Sequence, residues 1–156
     1  MEKLIKNKID ITVLVTSIKD RETTIKTANY YSKICEEVIL VDEELPHLSL
    51  SEISLLKKVG ITYISYGEKN FKKPSNSGIE KRLFAAQHSK RNYVVHSNHD
   101  ERYTFTGLLA CVDELKKNKE IIFCGGQAIA IRKDDLNIYY TLTYKNLYKY
   151  KNLNKV

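Results

Sequence analysis

The chain has 156 residues, the length of one ordinary domain, and its three cysteines are too few and too widely spaced for a disulfide framework or a zinc ribbon. A formal net charge of +7 suits an anionic partner such as a nucleotide or a membrane surface, but lysines are mixed with acids in nearly every segment and no arginine-rich stripe predicts specific nucleic-acid recognition. No window approaches the roughly 20 apolar residues that span a bilayer, so we expect a cytoplasmic protein in a reducing compartment, with peripheral membrane association left open.

The first predicted elements form a βαβ unit. Residues 9–15 are β-branched and mostly apolar, which is typical of a central parallel strand. Asp20 can cap a helix from about 21 to 34, and a second apolar run at 37–41 leads into Asp42. Because the strands of a βαβ unit are parallel, both are expected to end at the same edge of the sheet.

Helices and strands continue to alternate along the chain. The further predicted elements are a short helix from 51 to 59 that Gly60 ends, a strand at 61–65, a polar loop at 67–78, a helix at 79–89, a strand ending at Val95, a helix from 104 or 106 to 117, and two strands between 120 and 132 that meet at Gly125-Gly126. This order predicts an α/β domain over residues 1–132, with three layers, α/β/α, and a mainly parallel sheet.

Residues 133–156 differ in composition and are predicted to form a C-terminal extension rich in Tyr and Lys, with an edge strand followed by a frayed tail. Aromatic side chains among lysines can bind single-stranded nucleic acid. A solvated tail is the preferred interpretation. Lys81 and Arg82, near the first turn of the helix at 79–89, form either a solvated face or a phosphate-binding pair.

The segment 93–101 runs from apolar residues directly into polar and ionisable ones. Ligands of open α/β sheets bind beyond the carboxyl ends of the strands, so Asn98 and Asp100 are expected at that edge, together with Asp42. One carboxylate there can accept hydrogen bonds from a base or ribose, and another can hold Mg²⁺ or Mn²⁺. The alternative for either acid is that it caps a helix or begins a loop.

Other chemistries have weaker signatures. His96 and His99 could belong to a transition-metal site, and Asn98-His99-Asp100 is a triplet of the metallophosphatase kind. However, the first strand leads into Thr16-Ser17-Ile18-Lys19 and lacks the acids that two-metal hydrolases need there. The glycine-rich dinucleotide turn, the Walker loop and the esterase Gly-x-Ser-x-Gly elbow are all absent from the sequence.

Three stretches together resemble a family 2 glycosyltransferase: 11–21 (Ile-Thr-Val-Leu-Val-Thr-Ser-Ile-Lys-Asp-Arg), 38–42 (Val-Ile-Leu-Val-Asp) and 93–101. The resemblance covers about residues 9–131. It implies the A-type nucleotide-sugar-binding fold and transfer of a sugar from a nucleoside-diphosphate sugar, with a uridine nucleotide expected, to a saccharide or another acceptor.

The resemblance also implies roles for particular residues. It places Thr16 and Ser17 at the nucleotide base, with the acid Asp42 beside them. Asn98 falls in the donor site. Lys81 and Arg82 are expected near the diphosphate. Asp100 falls in the Asp-x-Asp motif of the family and is expected to ligate Mg²⁺ or Mn²⁺.

Two departures from the family pattern affect this expectation. Asn98 replaces the first acid of the metal motif, so only Asp100 keeps a carboxylate. The second departure is length, because members of the family usually carry an acceptor-binding region with a carboxylate general base beyond the last predicted strand, whereas this sequence stops at Val156. Asp134 and Asp135 come too early in the chain to be named as that base, so no catalytic residue is assigned. The chain is therefore expected to be a truncated or degenerate member, and a non-catalytic module that binds a nucleotide or a partner is the alternative function.

Overall fold

The structure is a computed structural model that describes residues 7–17, 20–42, 46–66, 77–120, 127–131 and 139–143. The chain divides into two compact units, Met1–Arg102 and Tyr103–Val156. The first contains β1 (Ile9–Thr16), α1 (Arg21–Ile34), β2 (Cys35–Asp42), α2 (Leu50–Lys58), β3 (Ile61–Ser65), α3 (Ser77–Gln87) and β4 (Val94–Asn98); the second contains α4 (Phe105–Lys117), β5 (Gln127–Ile131) and β6 (Tyr139–Thr143).

The sheet of the first unit has four parallel strands in the order β3-β2-β1-β4. β1 is central, and its last residue, Thr16, pairs with Val41 of β2 on one side and with Asn98 of β4 on the other. The predicted α/β fold is therefore confirmed. So is the expectation that the first, second and fourth strands end at one edge.

Helices cover both faces of this sheet. Side chains of a strand alternate between the faces, so Val41 and Asp42 point in opposite directions. Val41 lies in a buried cluster with Ala85 of α3, whereas Asp42 pairs with Arg21 of α1. The helix α2 shares a groove with α1, to which Ile25 contributes, and so lies on the α1 face. The result is the three-layer α/β/α arrangement that the sequence predicts.

Local signals explain where these elements begin and end. β1 is buried over nearly its whole length, as expected for a strand covered on both faces. The carboxylate of Asp20 accepts a hydrogen bond from the Thr23 amide at 3.0 Å, which confirms the predicted cap of α1. Ser49 and Glu52 form a reciprocal capping box at the start of α2, and Gly60 follows that helix with a φ of 83°.

β4 extends further than the sequence predicts. It was expected to end at Val95, but its ladder with β1 continues to Asn98. The added polar residues have partners inside the first unit, because Ser97 Oγ lies 3.1 Å from the hydroxyl of Tyr31 in α1. Burial of a polar strand end costs little when its groups are hydrogen-bonded.

The second unit is described by itself. α4 begins after Thr104, whose hydroxyl accepts a hydrogen bond from the Gly107 amide at 3.2 Å. β5 and β6 form an antiparallel pair, so the predicted extension at 133–156 does contain a strand. Most of that extension lies outside the described residues, and the predicted boundary at residue 132 stays a prediction. Among the described residues, the helices lack the length and apolar character needed to cross a bilayer.

Candidate functional site

The order of the strands creates a topological switch point between β1 and β4. From β1 the chain moves to β2 and β3 on one side, and then returns to place β4 on the other side. Ligands of open α/β sheets bind beyond the carboxyl ends of the strands at such a point. Thr16 and Asn98 form the last register pair there, and Ser17 follows Thr16. The predicted residues at the ends of these two strands are thus brought together.

Two consecutive cations of α3 reach the ends of these strands. Lys81, only 2% exposed, donates a hydrogen bond from Nζ to the carbonyl oxygen of Ser17 at 3.0 Å. Arg82 donates from Nη2 to Oδ1 of Asn98 at 3.2 Å. One cation therefore contacts the chain just beyond β1 and the other contacts the end of β4. We call Thr16, Ser17, Lys81, Arg82 and Asn98 together the β1–β4 edge.

A histidine, His96, contacts the β1–β4 edge. His96 Nε2 is 3.1 Å from Oγ1 of Thr16, which is hydrogen-bond distance. Burial lowers the pKa of His96 to about 4; the charges of Arg82 and Lys81 also lower it, while that of Glu101 opposes them. The imidazole is therefore uncharged at neutral pH, and the charge of the edge comes from its lysine, its arginine and the nearby acids.

Sequence reasoning assigned no role to Glu101, which fixes the orientation of Asn98. Its carboxylate accepts hydrogen bonds from the backbone nitrogen of Asn98 at 3.1 Å and from the side-chain nitrogen Nδ2 of Asn98 at 2.8 Å. Its carbonyl oxygen accepts from Ser97 Oγ at 2.9 Å. The one sequence signal was an acid three residues after the strand end, a spacing at which side chains commonly reach back to a backbone amide.

Asp42 lies at the same edge of the sheet but on the opposite face. Its carboxylate is completely buried, accepting from Arg21 Nε at 2.9 Å and from the Tyr63 hydroxyl at 3.0 Å. Burial, aided by the charge of Asp42, raises the pKa of Tyr63 to about 12, so the phenol keeps its proton and remains a donor. Asp42 therefore serves a structural network here, and its contact with a nucleotide base stays a prediction.

Asp100, the predicted metal ligand, lies on the turn after β4 with its side chain 67% exposed. Its Oδ1 is 3.9 Å from Nδ1 of His99, a buried atom that makes no hydrogen bond to the described residues. Mg²⁺ and Mn²⁺ prefer several converging oxygen ligands. In the described parts of the chain, no three His, Cys, Asp or Glu side chains are grouped so as to hold a metal ion.

The amide of Asn98 does not supply the missing ligand. Its Oδ1 already accepts from a guanidinium, and its Nδ2 donates to a carboxylate. The described donor set thus does not fit Mg²⁺ or Mn²⁺, and the metal role of Asp100 stays a prediction. Asp134, Asp135 and most of the polar loop predicted at 67–78 lie outside the described residues.

No protein-family model and no curated protein matches the chain. The resemblance to family 2 glycosyltransferases therefore stays an expectation from the three sequence stretches. Five of the seven predicted site residues meet at the β1–β4 edge, Asp42 lies on the other face, and Asp100 is exposed on the adjoining turn.

Proposed function

We propose that the β1–β4 edge binds the diphosphate of a nucleoside-diphosphate sugar, and that the chain is the donor-binding part of a glycosyltransferase. One observation carries this proposal: α3 places Lys81 against the chain beyond β1 and Arg82 against the end of β4, so two adjacent cations span the switch point. Ligands of parallel sheets bind at that position, and a diphosphate is the anionic group that a lysine and an arginine side by side would recognise.

The two cations have complementary properties. Lys81 is buried, so water screens its charge poorly and its field extends into the edge. Arg82 is exposed and carries a planar set of donors that matches the oxygens of a phosphate group. The uridine base and the assignment of Thr16 and Ser17 to base binding come from the sequence resemblance.

The proposed reaction is a displacement at the anomeric carbon of the donor sugar. The bond from that carbon to the diphosphate oxygen breaks, a bond to an acceptor oxygen forms, and the acceptor proton passes to a base that we do not assign. Negative charge grows on the departing diphosphate. Lys81 and Arg82 stabilise it because fixed cations interact more strongly with the leaving group as its charge increases.

The alternative is a non-catalytic module that binds a nucleotide at the same edge. A specific observation favours it: Asn98 takes the position of the first acid of the metal motif and is hydrogen-bonded to protein groups on both sides of its amide. Such a module would bind the diphosphate without turnover.

Calorimetric titration of the full chain with uridine and guanosine diphosphates, with and without Mn²⁺, tests the binding proposal. Hydrolysis of a panel of nucleotide sugars then separates the enzyme from the module. Diphosphate binding together with slow hydrolysis of a nucleotide sugar supports the glycosyltransferase. Diphosphate binding without hydrolysis of any nucleotide sugar supports the non-catalytic module. The absence of binding to either diphosphate contradicts the proposed function.

A further inference from the structure

The amide of Asn98 is held in one orientation by its neighbours. Nδ2 donates to Oε1 of Glu101 at 2.8 Å, and the backbone nitrogen donates to Oε2 of the same residue at 3.1 Å. These two bonds leave Oδ1 as the one side-chain atom of Asn98 that could ligate a metal ion. If the amide oxygen and nitrogen of Asn98 exchanged places, the oxygen would face the acceptor Oε1 of Glu101 and the nitrogen would face the donor Nη2 of Arg82. Both contacts would be repulsive.

Arg82 occupies the side to which this oxygen points. Its Nη2 lies 3.2 Å from Oδ1 of Asn98. A divalent cation on the same oxygen would have to displace the guanidinium or sit beside its positive charge, and either is unfavourable. A side-chain cation thus lies against the oxygen that Asn98 would offer to a metal ion.

The nearby acids do not compensate for this repulsion. Both oxygens of Glu101 accept hydrogen bonds from Asn98, and Asp100 is 67% exposed, so water and salt screen its charge. The guanidinium of Arg82 has five N–H groups, and within the part of the chain that the structure describes Asn98 engages one of them. The remaining donors suffice for a bidentate contact with a phosphate group.

We infer that this chain binds the diphosphate without a divalent cation, with Arg82 contacting the phosphate oxygens and Asn98 acting as the residue that positions Arg82. The inference rests on the proposed function and deepens it, and it departs from the metal role that the sequence resemblance implies for Asp100. A nucleoside diphosphate is the chemical class of the ligand.

Titration with uridine diphosphate in a chelating buffer and in Mn²⁺ tests the inference. The expected dissociation constants agree within about threefold, and Arg82→Gln weakens binding in both buffers by roughly tenfold or more, the usual effect of losing a charged hydrogen bond. Arg82→Lys keeps the charge but loses the planar donors, so its affinity for uridine diphosphate should lie between those of the wild-type chain and Arg82→Gln.

Arg91→Gln is the matched control. Arg91 precedes β4 and pairs with Asp10, the second residue of β1, at the amino edge of the sheet. The substitution makes the same change of net charge away from the β1–β4 edge, so diphosphate affinity should change by less than about twofold. Thermal unfolding of both variants verifies that they are folded.

Asn98→Asp tests the positioning role with a readout that a purely structural role would not move. The new carboxylate should hold Arg82 more tightly, repel the diphosphate and accept a metal ion. Binding should therefore weaken severalfold in the chelator and recover in Mn²⁺. A variant whose affinity is equal in the two buffers contradicts this role of Asn98.

The outcomes distinguish the inference from the function on which it rests. Binding by the wild-type chain that requires Mn²⁺ overturns the inference and leaves the proposed function standing. Metal-free binding that Arg82→Gln does not weaken also overturns the inference. Absence of binding in both buffers contradicts the proposed function and the inference with it.

Discussion

At the scale of single residues, the buried carboxylate of Asp42 provides a test of stability in the first unit. It accepts hydrogen bonds from Arg21 and Tyr63 and is fully shielded from solvent. Asp42→Ala removes the carboxylate that pairs with Arg21, whose side chain is only 21% exposed, and that accepts from the Tyr63 hydroxyl. We expect a loss of about 3 kcal/mol in the free energy of unfolding, measured by urea denaturation.

Asp10→Ala is the matched control for this variant. It removes an ion pair of similar length, 3.0 Å to Arg91, whose side chains are 39% and 56% exposed. Exposed pairs contribute at most about 1 kcal/mol. Equal losses in the two variants would show that burial of Asp42 has no energetic consequence.

Cys35 provides a chemical test at the same scale. Its side chain is buried, and burial raises the pKa of its thiol to about 12. Since the thiolate is the reactive form, the native protein should leave Cys35 unmodified by iodoacetamide at pH 8, while Cys111, which is partly exposed, reacts first. Peptide mass spectrometry measures this order, and labelling of Cys35 as fast as Cys111 would contradict it.

At the scale of elements, short-range signals predicted several helix and strand positions. The β-branched run predicted β1, Asp20 predicted the start of α1, and Gly60 predicted the end of α2. The end of β4 was mispredicted because the partner of Ser97 is Tyr31, which lies 66 positions earlier. The pairing of Arg21 with Asp42 is likewise set by how α1 packs on the sheet, which spacing alone does not reveal.

The capping box of α2 gives the prediction that belongs to elements. Ser49 accepts from the Glu52 amide, and the Glu52 carboxylate accepts from the Ser49 amide at 2.8 Å. Ser49→Ala should lower the free energy of unfolding by about 1 kcal/mol. Ser54→Ala, an exposed change within the same helix, should alter it by less than about 0.5 kcal/mol. Chemical denaturation measures both, and indistinguishable effects would contradict a stabilising cap.

At the scale of the whole molecule, the parallel direction of the strands was predictable from their alternation with helices, but the order β3-β2-β1-β4 was not. Alternation does not tell on which side of β1 the fourth strand pairs, because that depends on which face α3 covers. The order decides which of the predicted residues meet. It unites Ser17, Lys81 and Asn98, whereas the alternation of side chains along β2 places the carboxylate of Asp42 on the other face.

The central claim is that a nucleoside diphosphate binds where β1 and β4 end. Two-dimensional amide NMR of the full chain during titration with uridine diphosphate tests it most directly. Signals of Ser17, Ser97 and Asn98 should shift with saturation, while those of Ile9 and Cys35, which pair at the amino edge of β1 and β2, stay in place. Shifts centred on the amino edge or on the groove between α1 and α2, or no shifts at all, would contradict the account.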